Sequence, residues 1–137
     1  MTETPRKIIE ADEFIPASSK RIWEALTNPE ELNQWFMATD FQLEVGHDFT
    51  IDTGQWGTTD CTVLEIIPEE LLRYTWRNPP LDTVVTWKLI PEGDGTRVLV
   101  EHAGFDPDDP VQLQAFNGMS GGWKKFILGG LSEQALS

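Results

Sequence analysis

His102 is the side chain whose type and position could do acid–base or anchoring work. It shares a strand face with Val98 and Val100, so strict alternation turns it inward. An inward imidazole has three readings. It is a buried histidine satisfied by one or two hydrogen bonds, a polar anchor for a ligand, or a general acid or base. Cys61 also faces inward from its own strand, and a Cys61–His102 dyad is one arrangement open to the pair. A lone buried cysteine, however, more often behaves as a small hydrophobe. His47 is the only other histidine, and no His, Cys or Asp cluster has ligand spacing. No metal, no cofactor and no catalytic residue is therefore assigned. Asp52 and Glu65 are strand carboxylates that alternation places on the outer face, where Arg73 or Arg97 would form weak surface pairs with them. The chain has no glycine-rich phosphate loop followed by Lys and Ser/Thr, and no nucleophile elbow.

Aromatic side chains carry the second signal. The tryptophans are Trp23, Trp35, Trp56, Trp76, Trp87 and Trp123. Each brings a large apolar area and an N–H that needs a partner. Trp76 and Trp87 lie on inward strand faces, beside Tyr74. They are read as core packing, as the wall of a pocket for a flat or hydrophobic molecule, or as both, since a cavity wall is also a core.

These side chains need elements to hold them. Ile8 to Ile15 reads as a first strand. Ser18 or Ser19 caps a short helix that places Ile22, Trp23 and Leu26 close to one face. Asn28, Pro29 and Glu31 form the start of a second short helix in capping-box spacing, with Leu32 and Trp35 on one face. From about Phe41 the period becomes two. Phe49 and Ile51, then Leu72, Tyr74 and Trp76, then Val85, Trp87 and Leu89, then Val98, Val100 and His102 alternate with polar residues, apart from Leu99. This pattern predicts antiparallel strands with one covered face. The breaks at Val45-Gly46-His47-Asp48, Pro68-Glu69-Glu70, Asn78-Pro79-Pro80 and Glu92-Gly93-Asp94-Gly95 are rich in turn formers.

Asp109-Pro110 starts a last helix, along which Phe116, Met119, Trp123, Phe126, Ile127, Leu131 and Leu136 recur at mostly three to five residues. Five glycines from Gly118 to Gly130 each cost such a helix about 1 kcal/mol relative to Ala, which predicts a kink or close packing on the sheet.

The bulk properties bound the function classes. A chain of 137 residues predicts one domain, spanning 1–137, with a core that needs no metal or disulfide. One cysteine excludes an internal disulfide and, with no apparent signal peptide, predicts a cytoplasmic setting. A net charge of −13 disfavours nucleic acid and anionic membranes, and no apolar run is long enough for stable membrane insertion.

The order β-α-α, about six strands and a long helix resembles the helix-grip fold of the START and birch-pollen-allergen superfamily (SRPBCC). Within it, the chain is similar to the family named after the Hsp-90 ATPase activator homologue. The residues that carry the match are Ala17 through Trp23 with Leu26, Trp35, Leu43-Glu44-Val45-Gly46, Val63-Leu64-Glu65-Ile66-Ile67-Pro68, Leu72 through Trp76, Gly95-Thr96-Arg97, His102-Ala103-Gly104-Phe105 and Gly122-Trp123. The resemblance implies an α+β fold, with a six- to seven-stranded antiparallel sheet wrapped around the C-terminal helix. It also implies a mostly apolar cavity between them, closed at one end by the two short helices, with Ile22, Trp23, Leu26 and Trp35 plugging it. The expected function is binding of a small hydrophobic or amphipathic ligand there. The expected lining is Tyr74, Trp76, Trp87, His102, Phe116, Met119 and Trp123. Two alternatives stand beside it: a cyclase- or hydrolase-type enzyme in the same cavity, and a stress-response or chaperone-associated module. The chain is expected as a monomer or homodimer.

Overall fold

The structure is a computed structural model that describes residues 6–54 and 57–137, the side chain of Phe126 excepted. Trp56 and the Phe126 side chain, both named above, lie outside the described residues. Strand β1 (Lys7–Ile15) leads into helices α1 (Ser19–Thr27) and α2 (Pro29–Trp35). Five strands follow: β2 (Asp48–Asp52), β3 (Thr58–Ile67), β4 (Leu71–Trp76), β5 (Thr83–Glu92) and β6 (Gly95–Phe105). The order in the sheet is β1-β6-β5-β4-β3-β2, antiparallel throughout. Regular strand starts later than the period-two reading suggested. The stretch from Phe41 to His47 is a connection, tied to β3 by backbone hydrogen bonds from Gly46 N to the Val63 carbonyl at 2.8 Å and from Val63 N to the His47 carbonyl at 3.0 Å.

The caps explain the two short helices. Ser18 accepts from Arg21 N at 3.1 Å and so caps α1, whereas Ser19 is its first residue and bonds the Thr96 hydroxyl. Asn28 accepts from the backbone N–H groups of Glu30 and Glu31. Glu31 does not reach back to close the capping box. Its carboxylate takes the Arg21 guanidinium at 2.7 Å, and Arg21 also donates to the Gln134 carbonyl. The α1–α2 pair is thus tied to the end of the chain.

The C-terminal helix runs without a break from Pro110 to Leu136, but not as one α-helix. Helix α3 (Pro110–Gly122) gives way to a π-helical turn over Trp123–Leu128, and α4 (Gly129–Leu136) resumes. A π turn widens the spacing to five residues, so Trp123 and Leu128 are both buried on the sheet side. The buried face continues through Leu131 and Ala135, which leaves Leu136 at 52% exposure instead of in the inward stripe expected for it. Two of the glycines, Gly121 and Gly122, immediately precede the turn. Close packing on the sheet is not their common reason. A Cβ at Gly118, Gly121, Gly122 or Gly129 would meet nothing within 4 Å. Only Gly130 is closely approached among the five, by the Trp35 ring at 3.2 Å, where α2 seats on α4.

Candidate functional site

A cavity of about 600 Å³ opens between α3 and the Trp76 end of the sheet. Its buried side is made by Thr59, Trp76, Leu81 and Trp123. One wall is α3, through Val111, Gln114, Ala115, Gly118, Met119 and Gly122, and the opposite wall is the β4–β5 connection. Because α3 presents glycine at two of these positions, the wall stays open where a larger residue would fill it. Of the seven residues expected to line a pocket, Trp76, Met119 and Trp123 do so. The other four lie elsewhere.

His102 stands behind the tryptophans. It is fully buried, with ring centroids of Trp76 and Trp123 at 5.3 and 5.6 Å. Trp123 Nε1–H donates to His102 Nδ1 at 3.1 Å, and Thr83 Oγ1 lies 2.7 Å from His102 Nε2. An indole nitrogen only donates, so Nδ1 is unprotonated and Nε2 carries the hydrogen. The chain of donation then runs from Trp123 to His102, to Thr83, to the Trp76 carbonyl at 2.8 Å. Register explains the contact, since Val85 pairs with His102 and Thr83 is its diagonal neighbour on the same face. Burial lowers the imidazole pKa to about 3. Both ring nitrogens are occupied within the protein, so the imidazole holds the Trp76 and Trp123 wall in place and is not itself on the cavity surface.

Tyr74 and Trp87 form a second buried pair. Trp87 Nε1–H donates to the Tyr74 hydroxyl at 3.1 Å, and burial pushes the phenol pKa up. Both face a void of only about 20 Å³, closed by Leu26, Leu32 and Trp35 of the short helices with Phe41 and Phe49. Ile22, Trp23 and Leu26 are buried and Trp35 Nε1 donates to the Ala25 carbonyl at 2.7 Å. The two-helix end is therefore packed, and the ligand-sized space lies toward the other end of β4. Phe116 is on a different face of α3. Its ring meets Phe105 at 5.5 Å, and Lys7 sits 5.1 Å over it.

The remaining chemical candidates are separated. Cys61 is buried and its thiol is pushed up to about 12 by burial, then by Asp60 and Asp40. Strands β4 and β5 lie between its strand and that of His102, a gap of roughly 14 Å at the usual strand spacing, so the pair forms no dyad. Glu65 pairs with Arg73 at 3.1 Å on the surface, as alternation suggested. Arg97 pairs instead with Asp12 and Glu92, and Asp52 accepts from Gly54 N. Among the described residues, no three His, Cys, Asp or Glu side chains converge on a metal-sized site.

Several cavity residues were not anticipated. Thr59 had a legible signal, because it is two before the inward Cys61 and so shares its face. Gly118 and Gly122 were visible only as a helix cost. Asn78, Pro79, Pro80 and Leu81 were visible only as a turn. Nothing in a turn's composition says that it walls a cavity.

The fold and the aromatic wall can now be set beside known proteins. Residues 16–133 match the family "Activator of Hsp90 ATPase homolog 1-like protein". The chain belongs to this family. Among solved structures, it is similar to protein MLL2253 from Mesorhizobium loti, with 34% identity over 93% of this chain and 96% of that one, at a TM-score of 0.82. Protein BH1534 from Bacillus halodurans is 26% identical over 96% and 99% of the two chains, at a TM-score of 0.83. DynU16, from the dynemicin biosynthetic locus, shares the fold at 23% identity and a TM-score of 0.81, and this chain spans 48% of it. No curated protein sequence matches the chain. Among the described residues, no helix is long and apolar enough to cross a membrane.

Proposed function

We propose that this family member binds a small hydrophobic or amphipathic molecule in the cavity between α3 and the Trp76 end of the sheet. The observation that carries the reading is the cavity itself. Its volume of about 600 Å³ falls in the range of small-molecule sites, and its buried side presents Trp76, Leu81 and Trp123. Burial against these side chains stabilises a bound molecule by roughly 25 cal/mol per Å² of apolar surface removed from water. Thr53, Asn78 and Gln114 are half-buried or exposed, so they offer hydroxyl and carboxamide groups nearer the mouth. The described lining side chains are apolar, hydroxyl or carboxamide groups, which suits binding and orientation better than proton transfer. This favours a binding protein over the enzyme reading. Action as a single domain in a reducing, cytoplasmic setting belongs to the same proposal.

The test is native mass spectrometry of freshly purified protein, followed by a thermal-shift screen of uncharged aromatic and aliphatic compounds. The expected result is a co-purifying adduct or a saturable rise in Tm. The double variant Gly118→Leu/Gly122→Leu, which fills the open wall, should abolish it. A Tm rise of equal size in that variant contradicts the reading.

A further inference from the structure

Thr59 is fully buried, yet its Oγ1 has no hydrogen-bond partner among the described residues. A buried hydroxyl is ordinarily paired. Thr59 also lies in the cavity wall, on the same inward strand face as Cys61 and Val63. Its unused hydrogen-bonding capacity therefore sits beside the space assigned above to a ligand. As the wall stands, the oxygen is screened from water. Met37 and Met119 line the same cavity and are half-buried, and unbranched thioether side chains have the rotamer freedom to yield to an entering group.

Charge narrows the occupant. Among the described residues, the lining holds no lysine, arginine or histidine. All five arginines are paired with carboxylates: Arg6 with Asp106, Arg21 with Glu24 and Glu31, Arg73 with Glu65, Arg77 with Asp82, and Arg97 with Asp12 and Glu92. A net charge of −13 repels anions at longer range. A carboxylate or phosphate taken into this cavity would lose its hydration with no cation to replace it. A neutral oxygen needs only one hydrogen bond, which a hydroxyl supplies. The indoles of Trp76 and Trp123, with ring centroids 6.0 Å apart, offer aromatic surface on the buried side.

We propose that Thr59 is the polar contact of this cavity, and that its ligand is an uncharged, largely aromatic compound bearing a carbonyl or hydroxyl oxygen. Fatty-acid anions and phosphorylated lipids are selected against. This rests on the binding reading above and specifies its ligand class. Thr59 Oγ1 donates to a carbonyl, or exchanges donor and acceptor roles with a hydroxyl, and the ligand's apolar body lies against the tryptophans.

The experiment uses prodan, a neutral naphthyl ketone whose emission reports its surroundings, titrated into the full chain. Competition with 2-acetonaphthone, 2-ethylnaphthalene and 2-naphthoate at pH 7.5 compares ketone, hydrocarbon and carboxylate on one ring system. In the wild type the ketone should displace prodan best, with the carboxylate weaker by about tenfold or more. Thr59→Val keeps the shape and removes the hydroxyl. It should weaken ketone binding about three- to tenfold, the range of one neutral hydrogen bond, and leave the hydrocarbon unchanged. Thr59→Ser should restore the ketone preference. Ligand-free Thr59→Val should melt no lower than the wild type, since it removes an unpaired buried polar atom.

Equal loss of ketone and hydrocarbon affinity in Thr59→Val makes Thr59 structural and overturns the proposal. So does a carboxylate that binds as well as the ketone. In both cases, loss of prodan binding in Gly118→Leu/Gly122→Leu leaves the cavity reading standing. Should Thr59→Val fail to fold, the wild-type ranking with Thr59→Ser decides the matter. Absence of saturable prodan binding to the wild type overturns this inference together with the reading it rests on.

Discussion

The indole N–H of Trp123 points at Nδ1 of His102 across 3.1 Å, and with the ring contacts to Trp76 and Trp87 it couples the π-helical turn to the sheet. It sets the imidazole tautomer, which in turn directs Nε2–H toward Thr83. It also anchors the indole that forms the buried side of the cavity. Trp123→Phe keeps most of the ring area but leaves a fully buried nitrogen without its donor. The expected cost is about 1–3 kcal/mol in urea denaturation. His102→Gln should cost a similar amount unless its amide reproduces both bonds.

The same imidazole makes stability depend on pH. Its folded pKa is lowered to about 3 by burial, below the value near 6.5 of the unfolded chain. The unfolded state therefore binds the proton first as pH falls. The stabilisation held above about pH 6.5 is lost progressively toward pH 3, at most about 1.4 kcal/mol per pH unit. Asp40 and Glu92, whose pKa values are lowered by hydrogen bonds from Thr50 and Arg97 respectively, contribute the same sign at lower pH. Urea midpoints at pH 7, 6 and 5 should fall in the wild type and fall less in His102→Leu. Parallel slopes for the two proteins would assign the dependence to other groups.

Cys61 should be inert. Burial holds the thiol protonated, with its pKa pushed up to about 12, and reactivity follows the thiolate. Native protein should resist iodoacetamide at pH 8 over hours, and denatured protein should be alkylated fully. Rapid native labelling would contradict the buried placement.

The glycines should divide sharply. Gly118→Ala meets open space and should stabilise α3 by about 1 kcal/mol. Gly95→Ala would bring a Cβ within 2.4 Å of the Ile15 carbonyl and 2.7 Å of the Phe14 ring. That crowding should cost about 1–3 kcal/mol. Thermal denaturation of the two variants should move Tm in opposite directions.

Tyr74 and Trp87 should matter for stability and not for binding. Tyr74→Phe leaves the Trp87 N–H unpaired inside the core, at a cost of about 1–3 kcal/mol. The pair faces the small packed void, so prodan affinity of the folded variant should match the wild type. A tenfold loss of affinity would place the site at the two-helix end instead.

Much of the fold was legible because local chemistry decides it. Alternation through Leu72, Tyr74 and Trp76 turns all three inward, and Asn28-Pro29 starts a helix whatever surrounds it. The cavity was only partly legible, for a physical reason. Inward direction does not tell a packed side chain from one bordering space. Trp76 and Trp87 carry the same signal, yet one borders about 600 Å³ and the other about 20 Å³. The difference depends on where α3 runs and on the π turn at Trp123. Leu136 shows the same limit, since its place in the helical stripe assumed a uniform turn.

The most direct measurement is the methyl NMR spectrum of methionine-labelled protein during titration with prodan. Met37, in the connection after α2, and Met119, on α3, both line the proposed site. Their resonances, assigned with Met37→Leu and Met119→Leu, should shift together and saturate at one equivalent. Neither should shift in Gly118→Leu/Gly122→Leu. Prodan binding that leaves both methyl resonances in place, or shifts that persist unchanged in the filled variant, would contradict a ligand site between α3 and the sheet.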